Sequence, residues 1–489
     1  MGVREFLATM MRKYLLIGGA AFVLGAGSMA YVSQAALAKP TTSREGYRMM
    51  QLFGDVVDIA NKSYVTQPDE KKMVEAAING MMESLDPHSA YLDAAGYGDL
   101  RDQTRGAYGG LGLEVTSKDG VVQVISPIDD TPAFKAGIKA GDFITAIDGE
   151  TVVGLPLNDA VKQMRGAPNT QITLTIAREG EDQRDVKLMR EVIKSVSAKG
   201  RVEGDYGYLR ISAFNENTTT EAMAVVRDLK AKNPNIKGWV LDLRDNPGGL
   251  LDQAVSVSDM FLEGGEVVTQ RGRNPRDIER YNARPGDVTG GKPVVVLVNS
   301  GTASASEIVA GALQDRKRAE VVGLTTFGKG SVQSVIPLRD GADGALKLTT
   351  GRYYTPSGRS IQKTGIKPDL EVAVNAEQAE KIANGGAQFT EATYVNALNA
   401  DEGKSREGAH VIAESPPKEF EAKIDFREIK GDFQLQRALE VLKNGGVANT
   451  PKVPGPRPKL AEITAGKAPA AANSNAKPTP PTVAKAQPK

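Results

Sequence analysis

Residues 292–317 read KPVVVLVNSGTASASEIVAGALQDRK. Val294 to Val298 form an unbroken apolar run, the pattern of a strand buried on both faces. Small residues follow, and SEIVAGAL then carries its apolar positions at helical spacing. A strand, a tight turn and a helix in that order expose a side chain at a helix N-terminus. Backbone N–H groups there can hold a developing negative charge. A serine at that point is either a helix cap or a nucleophile. Ser304 shares a face with Ile308 and Ala312, while Ser306 aligns with Val309 and Leu313. The two hydroxyls lie about 200° apart on an ideal helix, so only one of them faces a given cleft. Periodicity does not say which.

Around this stretch, residues 193–375 alternate strand and helix signals. YGYLRIS, KGWVLDLRD and AEVVGLTT read as strands, and TTTEAMAVVRDLKAK and DQAVSVSDMFLEG as helices. That order predicts stacked ββα or βαβ units. Residues 106–192 differ, with short strands GGLGLEV, VVQVISPI and QITLTIARE around TPAFKAGIKAGDFITAIDG and the amphipathic LNDAVKQMRG. They predict a compact, partly open barrel or sandwich with two helices. Residues 44–105 read as helical, with stripes at Met49, Leu52, Phe53, Val56, Val57 and Ile59 and at Met73, Ala77, Ile78, Met81 and Met82. LDPHSAYL (85–92) interrupts them, and its His88 reads as a structural residue of a turn. Residues 376–450 carry one clear helix, DFQLQRALEVLKNG, and residues 451–489 read as a disordered tail with nine of the 26 prolines.

With 489 residues, 40% hydrophobic and 25% charged, the chain reads as a soluble multidomain protein. A net charge of +1 gives no broad field for nucleic acid, although the tail alone is about +6. The absence of cysteine excludes disulfides, thiol nucleophiles and cysteine-based zinc sites. Arg12 and Lys13 precede a stretch without charge from Tyr14 to Ala38 that ends in Ala36-Leu37-Ala38. Residues 1–38 therefore read as a cleaved export signal, or residues 14–32 as a retained anchor in the inner membrane. Either way the protein is expected outside the cytoplasm, in the periplasm of a two-membrane cell.

A nucleophilic serine needs a base. The only histidines, His88 and His410, lie outside the strand-rich core, which makes a Ser-His-Asp triad improbable. A lysine serves when burial keeps it neutral. TTFGKGSVQSVIPL (325–338) offers Lys329 between two glycines, with Gln333 four residues on, placed to accept a hydrogen bond from it. VLDLRDNPGGLL (240–251) is a strand ending in paired glycines, where Gly248 or Gly249 lets a backbone N–H approach a reacting carbonyl.

Taken together, GTASASEI, FGKGSVQ and DLRDNPGGL resemble the carboxy-terminal processing peptidases, serine proteases of family S41, over roughly residues 45–445. The resemblance implies an α+β multidomain chain: a spiral ββα core shared with Clp-type proteases and crotonases, an inserted PDZ domain at 106–192 and an N-terminal helical region. It implies Ser304 as nucleophile, Lys329 as base and Gln333 as its partner, with the N–H of Ala305 and of Gly248 or Gly249 as oxyanion donors. GGLGLEV then matches the PDZ carboxylate loop, where N–H groups of Leu111, Gly112 and Leu113 hold a peptide C-terminus. Arg165, ending the PDZ helix, is a candidate switch contact or an exposed helix-end charge. The expected activity is endopeptidase cleavage of exported proteins recognised by their free C-termini, without metal or cofactor. An adaptor protein and a homo-oligomer are compatible with this, and an inactive PDZ scaffold or a crotonase-like acyl enzyme are the alternatives.

Overall fold

The computed structural model describes residues 43–456, apart from 119, 129, 179, 385–388, 401–412, 419 and 421–430. The uncharged stretch 14–38, His410 and the tail beyond residue 456 lie outside the described residues. Among those described, no helix is long and apolar enough to cross a membrane. The chain divides into one unit up to Gly80 and a second from Met81 onward.

In the first unit, α1 (Arg44–Ser63) starts at Ser43, whose side chain accepts the N–H of Gly46 at 3.0 Å. The predicted stripe is present but unburied: Met49, Leu52, Phe53, Val56 and Ile59 are 41–61% exposed, and Val57 is half-buried. Helix α2 (Glu70–Glu83) follows.

In the second unit, β1 (Ala90–Leu92) and α3 (Ala94–Arg105) come first. Strand β1 falls within LDPHSAYL, the stretch that interrupts the helical pattern, and is too short for an alternation to show. Then come β2 (Ala107–Gly110), β3 (Leu113–Lys118), β4 (Val121–Pro127), α4 (Pro132–Lys135), β5 (Phe143–Ile147), β6 (Glu150–Thr151), α5 (Leu157–Met164), β7 (Gln171–Ala177), β8 (Arg184–Met189) and β9 (Glu191–Lys194). Strands β3-β4-β5-β7-β8 form an antiparallel sheet, with β6 on β5. Alternation does the work here: Ile172, Leu174 and Ile176 of β7 are buried, and the residues between them are not. Strands β2 and β9 pair only with each other, a ribbon at the two ends of this subdomain.

The rest of the chain supplies β10 (Ala198–Glu203), β11 (Tyr206–Ile211), α6 (Thr218–Lys232), β12 (Gly238–Asp242), α7 (Leu251–Asp259), β13 (Gly265–Gly272), β14 (Ile278–Ala283), β15 (Val294–Val298), α8 (Ala305–Asp315), β16 (Ala319–Gly323), β17 (Ser331–Pro337), β18 (Ala345–Tyr354), β19 (Leu370–Glu371), α9 (Ala376–Ala383) and α10 (Phe433–Asn444). Strands β10-β11-β12-β15-β16-β19 form one sheet, parallel apart from the β10–β11 pair. A second, antiparallel sheet runs β1-β18-β13-β14, with β17 on β18.

Every residue of β12 and β15 is buried, because the parallel sheet is covered on both faces. Val294, Val296 and Val298 join a core with Val226, Ala254, Ile308 and Val309 from α6 to α8. Val295 and Leu297 meet Leu435, Ala438, Val441 and Leu442 of α10. Each such side chain contributes about 1.5–3 kcal/mol on burial, so the position of the strand ends is firmly fixed.

Just past β12, Arg244 is fully buried between two carboxylates. It donates to Asp242 (Nη2, 2.6 Å) and with both Nη atoms to Asp432 (2.8 and 2.7 Å), the N-cap of α10. Burial alone would raise the Asp242 carboxyl, but Arg244 and Arg210 hold it below the usual range. Arg244→Met removes the charge both carboxylates need, and about 3–5 kcal/mol of stability should go with it in urea unfolding. The exposed Lys237–Asp205 pair is the control: Lys237→Ala should leave the midpoint unchanged.

Candidate active site

Ser304 is the N-cap of α8, but it does not have the backbone of an ordinary cap. Ser43, Asp93 and Asn375 cap their helices from extended conformations, whereas Ser304 has φ 55° and ψ −116°. A non-glycine residue held there stores about 1–3 kcal/mol of strain. The turn is tied down on both sides. Ala303 N–H donates to the Asn246 carbonyl at 2.9 Å, and Ser304 N–H to the Glu307 carboxylate at 2.8 Å. Ser306 is fully buried and donates its hydroxyl to the same Asn246 carbonyl at 2.9 Å. Ser304 is the half-buried member of the pair.

The Asn246-Pro247-Gly248-Gly249 turn lies against Ser304. A Cβ on Gly248 would stand 2.9 Å from both the Ser304 Cβ and the Ala305 nitrogen, so no larger residue fits. The N–H of Gly248 donates to Asn246 Oδ1 at 2.9 Å. Gly249 is packed as closely, since a Cβ there would collide with the Phe214 carbonyl, but of the two predicted donors it is Gly249 whose N–H has no acceptor among the described residues. Ala305 holds the first helical position, where an N–H has no partner within the helix.

Glu307, in the first turn of α8, organises the site and was not singled out in the sequence. Its carboxylate is fully buried. Oε2 accepts the N–H of Ser304 and that of Lys329, each at 2.8 Å. Oε1 accepts the N–H of Gly328 at 2.7 Å and the Thr326 hydroxyl. One oxygen thus holds the backbones of Ser304 and Lys329 within two hydrogen-bond lengths of each other. Burial raises the Glu307 pKa to about 7 against the pull of these four donors.

Lys329 is half-buried, and burial is the main reason its pKa is lowered to about 8. Lys347 pushes the same way, while Glu391, Glu307 and Asp86 oppose. Gln333 donates its amide to Ser331 Oγ (2.9 Å) and Thr349 Oγ1 (3.2 Å). His88 donates from its Nε2 to Glu391 at 2.8 Å. Glu391 comes from the weakly patterned region after residue 376, and its N–H donates to the carbonyl of Phe327 at 3.0 Å.

The predicted peptide site lies apart, in the antiparallel subdomain. Leu111 is buried in its core, and Gly112 takes φ 75° with no room for a Cβ beside Thr131. The carbonyls of Leu111 and Gly112 accept from Ala133 and Ile128 at 3.0 and 2.8 Å. Leu113 opens β3, where Leu113 and Val115 pack on the core alongside Leu157 and Val161 of α5. Arg165 is half-buried, and its guanidinium lies 4.6 Å over the ring of Tyr108 in β2.

This architecture is that of a PDZ-bearing peptidase. Residues 205–372 match peptidase family S41, residues 109–188 a PDZ domain, and residues 16–96 the N-terminal domain of the activating protease CtpB. The chain is 55% identical over 337 residues to a carboxy-terminal-processing protease of Bartonella bacilliformis, covering 68% of this chain and 77% of the relative. It is 37% identical over 331 residues to a probable CtpA-like serine protease of Staphylococcus epidermidis, covering 67% and 66%. Among solved structures, the photosystem II D1 C-terminal processing protease shares 32% identity at a TM-score of 0.40, covering 66% of this chain and 92% of that one. The chain belongs to the S41 peptidases, within the PDZ-containing C-terminal processing serine proteases.

Glu307→Gln replaces one acceptor oxygen by an NH2 group that faces backbone donors. We expect a stability loss of about 1–3 kcal/mol in thermal unfolding. Displacement of Ser304 relative to Lys329 should lower kcat by about a hundredfold. A variant with wild-type turnover would remove Glu307 from any positioning role.

Proposed function

We propose that the protein is an exported endopeptidase that recognises the free C-terminus of a protein substrate through its PDZ domain and cleaves it with a Ser304–Lys329 dyad. The observation that carries this reading is the shared Glu307 oxygen, which brings a strained serine and a half-buried lysine to one point. Neutral Lys329 takes the proton of Ser304 Oγ as the oxygen attacks the scissile carbonyl. The N–H groups of Ala305 and Gly249 hold the oxyanion at the start of α8. As the tetrahedral intermediate collapses, the Lys329 ammonium gives its proton to the leaving amine. Water, activated by the same lysine, then releases the acyl-enzyme. Because Gln333 spends its NH2 on Ser331 and Thr349, its carbonyl oxygen is left to accept from Lys329 and orient it.

In the PDZ domain, the N–H groups of Leu111, Gly112 and Leu113 hold the terminal carboxylate. An apolar last side chain sits between Leu113 and Val115 of β3 and Leu157 and Val161 of α5, with the peptide backbone added to β3. Export is supported by the uncharged stretch 14–38 behind Arg12 and Lys13.

Ser304→Ala should abolish peptide cleavage with an unchanged thermal midpoint; retained turnover would end this reading. The rate constant kcat/KM should rise tenfold per pH unit up to about pH 8 and then level, because Lys329 acts only when neutral and its pKa is about 8. A rise continuing past pH 10 would mean an unperturbed lysine. Amidating the C-terminus of a peptide ligand should weaken PDZ binding about tenfold or more, since hydrogen bonds to a charged group are worth about 1.5–3 kcal/mol each.

A further inference from the structure

The turn Asp86-Pro87-His88-Ser89 lies between α2 and β1, and on sequence alone it is a loop. Its own hydrogen bonds make it rigid. Asp86, 3% exposed, accepts the N–H groups of His88 and Ser89 on Oδ1 (2.8 and 2.9 Å) and the Ser89 hydroxyl on Oδ2 (2.7 Å). Burial alone would raise this carboxyl, but these bonds hold it below the usual range, so the turn is fastened by an ionised group.

Two chains of hydrogen bonds leave the turn. The first runs from His88 Nε2 to Glu391 Oε2 (2.8 Å); Glu391 Oε1 accepts from Gln362 Nε2 (2.9 Å), and Gln362 Oε1 accepts the N–H of Gly330 (2.9 Å). Glu391 N–H also holds the Phe327 carbonyl. The backbone is thus gripped two residues before Lys329 and one residue after it. Glu391 and Gln362 are fully buried, and Tyr394 stacks edge-on against both His88 (5.8 Å) and Phe327 (6.4 Å). The second chain starts at Ser89 Oγ, which accepts the N–H of Thr349 at 3.1 Å. Thr349 Oγ1 in turn accepts from Gln333 Nε2 at 3.2 Å. The pairing of β1 with β18 brings the turn and Thr349 together.

We propose that the Asp86–Ser89 turn is a positioning clamp for the catalytic base: its histidine arm fixes the Lys329 loop, and its serine arm fixes Gln333, so that both are set by one element. This rests on the assignment of Ser304, Lys329 and Gln333 given above. The clamp residues are assigned a positioning role. They act through the groups they hold, and a loosened base lowers turnover rather than ground-state binding. The clamp also carries charge. Four charged groups bear on Lys329: Asp86 from the turn, Glu391 from the segment after α9, Glu307 from α8 and Lys347 from β18. The three carboxylates favour the ammonium form and Lys347 opposes it, so removing Glu391 favours the neutral lysine.

The test uses the full-length protein and a fluorogenic peptide, with thermal midpoints measured for each variant. Ser89→Ala and His88→Ala should each lower kcat by about tenfold to a hundredfold at unchanged KM. His88→Gln, which keeps a donor towards Glu391, should recover most of the loss. Glu391→Gln should move the acid limb of the pH–rate profile to lower pH by about half a unit or more, a shift that a purely structural lesion does not produce. If His88→Ala fails to fold, Ser89→Ala and Glu391→Gln decide. Folded variants with wild-type kcat and an unmoved acid limb would overturn the clamp. Ser304→Ala in the same assay separates the two ideas: if it stays active, the dyad assignment falls, and if it is dead while the clamp variants behave as wild type, only the clamp falls.

Discussion

A single buried carboxylate holds this site together. Three loops from distant parts of the sequence converge on it: the one after β15 with Ser304, the one after β16 with Thr326, Gly328 and Lys329, and, through Ser304 and Ala303, the Asn246–Gly249 turn after β12. A carboxylate is suited to this because its two oxygens accept four bonds at once, three of them from backbone N–H groups that cannot swing away. Those bonds offset part of the cost of burying the group and help hold the strained backbone at Ser304. The charge cuts two ways in the proposed chemistry. It favours the ammonium that forms when Lys329 takes a proton, and it disfavours an oxyanion at the start of the same helix. A pKa drawn up to about 7 leaves Glu307 poised between the two demands.

The antiparallel subdomain is joined to the core by two chain crossings that run side by side. Strands β2 and β9 pair with each other, and Ser195 N–H closes the ribbon on the carbonyl of Gly106 at 2.8 Å. Gly106 takes φ 65°, and a Cβ there would collide with the Asn215 side chain, so the ribbon leaves the core at a fixed place. Two antiparallel tethers paired at one point restrict the motions open to the domain. Arg165 packs its guanidinium on Tyr108 of that ribbon, and thereby ties the end of α5 to it.

What the sequence made legible follows from how each signal is generated. β12 and β15 were readable because strands covered on both faces are apolar at every position, and α8 because it is buried all round. The lysine loop was readable from its glycines. The second sheet was not: β14 leaves most of its residues exposed and β1 has three, so neither carries an apolar pattern. Glu307 was hidden because a glutamate in the first helical turn is ordinary on any exposed helix. Glu391 and Thr349 were hidden for a different reason. Their partners in the Asp86–Ser89 turn are 303 and 260 residues away, and no local spacing encodes such a contact. The stripe on α1 shows the converse, a periodicity faithfully read whose apolar face stays exposed.

The lysine is the point at which fold and chemistry have to agree. A fully desolvated lysine with no counter-charge loses its proton so readily that it becomes a poor acid for the leaving amine; an exposed one stays protonated and is no base at all. Half-burial in the loop after β16, with Lys347 on one side and three carboxylates on the other, lands between these limits. Two of those carboxylates, Asp86 and Glu391, are held by the turn that precedes β1 and by the segment that follows α9. Neither belongs to the parallel sheet that presents the serine. The protonation state of the proposed base, Lys329, is therefore a property of the assembled chain, set in part by segments far from the Gly-Lys-Gly loop in sequence.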